Sequence, residues 1–169
     1  MAIITPSPIL ISQPNRNDFD PRPLTHVQRV QRDLRNLGAS PRCTLSFAGR
    51  YLPSVIHAHE QIRALVYGRS NGIFAMLVAT DRRIIFLEKK FLFVDEDEIS
   101  YYMVGGVSYS KAGIGSTVTL HTRVKDFVIK TLNGHCAGDF VAYIESRCLE
   151  RLNGGRYDQY PKERNVQTY

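Results

Sequence analysis

Any chemistry in this chain would come from a few compact groupings of reactive side chains. His57-Ala58-His59-Glu60 is its densest histidine cluster. On a strand, a His-x-His pair offers two metal ligands on one face, but a third donor must come from elsewhere. On a helix, residues two apart point in different directions. The segment therefore reads as exposed polar residues leading into a strand. Asp95-Glu96-Asp97-Glu98 lacks the alternating ligand spacing of a calcium loop and reads as a solvated loop. Cys43, Cys136 and Cys148 are three in number with no paired-ligand spacing. Neither a disulfide framework nor a zinc site is expected, and a reducing cytosol fits. Cys136 directly follows His135, so their side chains diverge, and Cys148 falls on a helical apolar stripe. There is no Gly-x-Ser-x-Gly elbow. Gly105-Gly106 and Gly113-x-Gly115 lack the following helix of a phosphate loop. The reading is of a non-enzymatic chain with no catalytic residue, metal, cofactor or small-molecule substrate.

Charge points to partners instead. With 22 Lys and Arg against 16 Asp and Glu, the 169-residue chain carries +6, which attracts anions and also keeps a protein dispersed. The N-terminal "MAIITPSPILISQP" has no basic leader and is broken by prolines, so no signal peptide is expected. The longest apolar run, Ile73 to Ala79, suits a strand rather than a membrane span. A cytoplasmic protein is expected, with the membrane periphery as an alternative location.

The elements that would position these residues follow from periodicity. Residues 1–23 hold five prolines and read as a flexible arm. Leu24, Val27, Val30, Leu34 and Leu37 recur at helical spacing, and Gly38 can end that helix. A second short helix is expected from Pro53 to Ala58. Seven strands are then expected: Gln61–Gly68, Ile73–Thr80, Arg83–Glu88, one beginning at Phe91–Val94, Gly106–Ser110, Ser116–His121 and Asp126–Leu132. Asp81-Arg82-Arg83 reads as a hairpin turn whose Asp81 bonds nearby amides and whose arginines begin strand three or extend into solvent. A final helix spans Ala137 to Leu152, with Gly154 and Gly155 ending it before a disordered tail over 154–169. Closely spaced strands followed by an amphipathic helix describe a mainly β fold, a small antiparallel barrel or sandwich plugged by the helix.

Three stretches, "LPSVIHAHEQIRALVYGRSNGIFAMLVATDRRIIFLEKKFLF", "DEISYYMVGGVSYSKAGIGSTVTLHT" and "FVIKTLNGHCAGDFVAYIES", resemble bacterial pleckstrin-homology (PH) domains of the YokE-like type. The most specific pieces are "LVATDRRIIF" and the segment carrying Ile99, Tyr101 and Val107 to Tyr109. The sequence departs from the pattern at His59, where Gly is common, and at Ser100, where Pro is common. The resemblance implies a seven-stranded PH-like barrel with a C-terminal cap over 51–153, to which 24–50 add a helical extension. It implies an interaction module and no activity.

Two surfaces are candidates for that interaction. Strands two and three do not alternate: Ile73, Ala75 and Leu77 oppose Phe74, Met76 and Val78, and Ile84 and Phe86 oppose Ile85 and Leu87. One apolar set must point out of the barrel and be covered. Phe74, Met76, Val78, Ile85 and Leu87 are the candidate interface. Their cover is either the N-terminal helix or, in a homo-oligomer, another copy, and a protein partner or self-assembly is the leading expectation. The second surface is the turns after strands one, three and six, which would share one barrel end. They carry Arg69, Lys89, Lys90, Arg123 and Lys125, a candidate site for an anionic phospholipid headgroup. A lower alternative is nucleic-acid binding by Arg29, Arg32, Arg35 and Arg42. No aromatic stacking motif accompanies those arginines in the sequence, so nucleic acid is not the expected partner.

Overall fold

The computed structural model describes residues 24–90 and 93–157, the last four by backbone alone. The arm expected over residues 1–23, the tail beyond residue 157 and Phe91 lie outside the described residues.

Three helices precede the strands: α1 (His26–Asn36), α2 (Pro41–Thr44) and α3 (Phe47–Val55). A reciprocal capping box between Thr25 and Gln28 starts α1. Gly38, at φ +78°, takes the left-handed turn after it. The expected second helix begins earlier than Pro53, because the Ser46 hydroxyl caps Gly49 N–H and starts α3 at Phe47. Pro53 instead lies in the last turn, where its missing N–H leaves the Gly49 carbonyl without an intrahelical donor. Gln31 Nε2, from α1, donates to that carbonyl at 3.0 Å. A Cβ on Gly49 would stand 2.3 Å from the Cys43 carbonyl oxygen, so α2 and α3 approach this closely only around a glycine.

Seven strands follow: β1 (Ile62–Ser70), β2 (Ile73–Thr80), β3 (Ile84–Lys89), β4 (Val94–Ile99), β5 (Val104–Ala112), β6 (Gly115–Thr122) and β7 (Asp126–Thr131). They form one antiparallel sheet in the order β4-β3-β2-β1-β7-β6-β5. The acidic run is not a loop but β4 itself, paired with β3 from Ile84↔Ile99 to Lys89↔Val94. It tolerates this place because β4 is an edge strand and three of its acids are met by cations: Asp95 by Lys90, Asp97 by Lys125 and Glu98 by Arg83.

The final helix, α4 (Gly134–Tyr157), starts three residues before the expected position because Asn133 Oδ1 accepts from Cys136 N–H. It continues through Gly154 and Gly155, since glycine weakens a helix by about 1 kcal/mol without ending it.

Two cores flank the first four strands. Ala75, Leu77, Ala79, Ile84 and Phe86 face inward with Val118, Leu120, Phe127 and Ile129, and Phe140 and Ile144 of α4 plug the interior. Met76, Val78, Ile85 and Leu87 face outward and are completely buried beneath Val30, Leu34, Ala48 and Leu52 of the N-terminal helices. This corrects the expectation of an intermolecular interface on that face: four of its five residues are covered from within the chain. Burying four such side chains contributes roughly 6 to 12 kcal/mol before ordering costs. Only Phe74 remains half exposed, because α1–α3 stop short of the last row of the sheet.

Candidate functional site

That uncovered row runs across the strands. On β1, Leu65 and Tyr67 point toward the helices, and alternation carries Arg69 onto the same outer face. Arg69 pairs directly with Phe74 of β2 on one side and with Lys130 of β7 on the other. Lys89 of β3 stands one position beyond the Ala75–Glu88 pair, beside Phe74. Thr117 of β6 pairs with Lys130 and extends the row. Lys130–Arg69–Phe74–Lys89 therefore forms a line across four adjacent strands, with three cations and one aromatic ring on the outer face.

Gly68 makes this line possible. A Cβ there would lie 2.1 Å from the Lys130 carbonyl oxygen, so β1 could not cross β7 with any side chain at this position. The crossing holds a single register pair, Arg69↔Lys130. Cations directly opposite each other on neighbouring strands repel.

The row floors two adjoining grooves of about 540 and 1150 Å³ that share Arg42, Tyr67 and Phe74. Arg42, on α2, lines both. The Phe74 ring stacks on Tyr67 with centroids 5.9 Å apart and planes 5° apart, and the Arg69 guanidinium lies 4.9 Å from its centroid. Lys89 Nζ lies 5.8 Å from the centroid of Phe47. Among the described residues, no Asp or Glu lines either groove. Among the described residues, no carboxylate forms an ion pair with Arg42, Arg69, Lys89 or Lys130.

The five basic residues expected to share one end are thus divided. Arg69 and Lys89 lie in the groove. Lys90 is bound to Asp95 at 2.6 Å, which raises the ammonium pKa above its ordinary value and lowers that of the carboxyl. Lys125 is bound to Asp97 at 2.8 Å. Arg123 is exposed in the β6–β7 turn, where its backbone N–H donates to the Met103 carbonyl. Of the N-terminal arginines, Arg29 donates to the carbonyls of Glu60 and His57, and Arg32 pairs with Asp33. Lys130 escaped the sequence reading because it sits inside a strand. The alternation of Phe127, Ile129 and Thr131 inward was the signal that turned it outward.

The histidine cluster and the Asp81-Arg82-Arg83 turn meet at the other end of the β1–β2 hairpin, in a structural lock. His57 and His59 are exposed, whereas Glu60 is buried. Glu60 accepts from His57 N–H, Thr80 Oγ1 and Arg83 Nε at 3.1, 2.7 and 3.0 Å. Burial alone would raise the Glu60 carboxyl pKa, but the bonds from Arg83, Thr80 and His57 hold it below the ordinary carboxylate value. Arg83 does not extend into solvent: it also donates to the Val55 carbonyl and contacts Glu98. Asp81 Oδ1 accepts from Gln61 N–H on the neighbouring chain segment, while Thr80 Oγ1 takes the amides of Arg82 and Arg83 in the turn. Cys43 and Cys136 are not poised as nucleophiles: burial pushes Cys43 up to about 12 and raises Cys136.

Among the described residues no group of three or more His, Cys, Asp or Glu could hold a metal ion, and no helix is long and apolar enough to cross a membrane. The crystal structure of a DUF1696 family protein with a pleckstrin-homology domain, from Shewanella loihica PV-4, is similar at 17% identity and a TM-score of 0.34. The match covers 50% of this chain and 76% of that one. No curated protein matches the chain. A family model described as bacterial PH domain matches residues 56–146, from the end of α3 through most of α4. That segment is just over half of the chain and contains all seven strands, and with it the chain belongs to the bacterial PH domain family.

Proposed function

We propose that this chain is a non-catalytic interaction module that docks an anionic partner in the groove floored by Lys130, Arg69, Phe74 and Lys89 and lined by Arg42. One observation carries this reading: Arg69 is paired with Lys130 across the β1–β7 crossing, and among the described residues no carboxylate lines the groove beside them. Opposed like charges cost the fold stability, on the order of a few tenths of a kcal/mol at an exposed pair. An anionic ligand would convert that repulsion into two charge-assisted hydrogen bonds. Acidic β4 of a second copy is a poor occupant, because Asp95, Asp97 and Glu98 are already paired within their own chain.

The test is salt elution from a sulfated polysaccharide matrix. Arg69→Glu with Lys130→Glu is expected to elute at clearly lower salt than the wild type. Arg63→Glu with Arg82→Glu, an equal double charge reversal at the opposite end of the hairpin, is expected to shift elution much less. Equal elution of the double variant and the wild type would contradict the reading.

A further inference from the structure

We infer that the occupant of this groove is a single strand of nucleic acid, lying across β7, β1, β2 and β3. The inference rests on the anion-docking reading above and names its partner. The aromatic component missing from the sequence pattern is supplied by the fold: Phe74 sits between Arg69 and Lys89, stacked on Tyr67, with Phe47 beneath Lys89. Cations that hold a phosphate backbone, alternating with rings that receive bases, are what sequence-tolerant single-strand binding requires. The four-strand line covers three inter-strand spacings, roughly 14 Å. The four cations of the groove, Lys130, Arg69, Lys89 and Arg42, offer contacts to about four phosphates of such a strand.

Other polyanions fit less well. An acidic polypeptide would use the cations but has no call on a ring placed within their line. A bilayer meets projecting surfaces, whereas these cations line grooves between α2 and the sheet. A duplex would need an element that enters its major groove, and the groove here is a recess between α2 and the sheet.

The experiment is fluorescence anisotropy of a labelled 12-nucleotide oligothymidylate with the full chain. Competitors are the same strand annealed to its complement, polyglutamate, and vesicles of phosphatidylglycerol in phosphatidylcholine. Four phosphate contacts at a slope of about −0.7 each predict a roughly 50-fold loss of affinity between 50 and 200 mM salt. Phe74→Ala is expected to weaken binding about tenfold, as loss of one stacked base does, without changing the salt slope. Arg69→Gln with Lys130→Gln is expected to reduce the slope by about half. If polyglutamate or vesicles displace the strand as well as unlabelled oligothymidylate does and Phe74→Ala is silent, the nucleic-acid inference is overturned while anion docking survives. If the chain binds none of these polyanions, both fall.

Discussion

The two ends of the β1–β2 hairpin use arginine in opposite ways. At one end, Arg83 meets Glu60, Glu98 and the Val55 carbonyl, and Glu60 also takes Thr80 and the His57 amide. Arg83, Glu60 and Glu98 answer one another there, and the network ties α3, the β2–β3 turn and β4 together. At the other end, Arg69, Lys130, Lys89 and Arg42 are gathered around aromatic rings, and among the described residues no acid lines the space between them. Charge that is matched inside a fold contributes to the fold. Charge that is concentrated and left unmatched costs the fold and gains only when something binds. The same side chain is a structural part at one end and a docking group at the other, and its surroundings decide which.

The comparison can be broken in graded steps. The largest effect is expected from Leu87→Asp, which places an unpaired charge under α1–α3 and should cost at least about 4 kcal/mol. Hydrogen exchange should show α1–α3 losing protection first, with the light-scattering mass unchanged; a fall in mass would return this face to self-association. Next is the lock: Glu60→Ala leaves Arg83 and Thr80 short of a buried acceptor and should lower unfolding free energy by about 3 kcal/mol in urea titration. The lock also sets an acid limit. Because the folded Glu60 carboxyl lies below its unfolded value of about 4.5, its contribution is fully present above that pH and is lost as pH falls below it. The urea midpoint should therefore hold from pH 7 to pH 5 and drop below about 4.5, and Glu60→Gln should flatten that drop. The smallest stability effect belongs to the groove, where Arg69→Ser with Lys130→Ser should shift unfolding by no more than about 0.5 kcal/mol, toward greater stability.

Much of this was legible in the sequence. Strand and helix periods located six of the seven strands and the last helix, and the doubled apolar faces of Phe74–Val78 and Ile84–Leu87 showed that something must cover strands two and three. What covers them was not legible, since a helix in the same chain and a second copy satisfy the same apolar pattern. The acidic run was misplaced because its β-propensity is low. It is a strand only because Lys90, Arg83 and Lys125, the last of them 28 residues from its partner Asp97, converge on it. The groove was half legible. Arg69 and Lys89 stand near turns, where a basic residue draws notice, but Lys130 lies within the expected last strand, Asp126–Leu132, and Arg42 on a four-residue helix. Their meeting depends on Gly68, which lets β1 cross β7, and no local pattern announces a crossing.

The central claim is that the Arg69–Lys130 row is kept for a ligand and not for the fold. The most direct measurement is thermal unfolding of the wild type and of Arg69→Ser with Lys130→Ser, each with and without the 12-nucleotide strand at low salt. The double variant should melt at or slightly above the wild-type temperature in buffer, and the strand should raise the wild type clearly more than the double variant. A double variant that melts several degrees lower in buffer yet is raised by the strand as much as the wild type would contradict it.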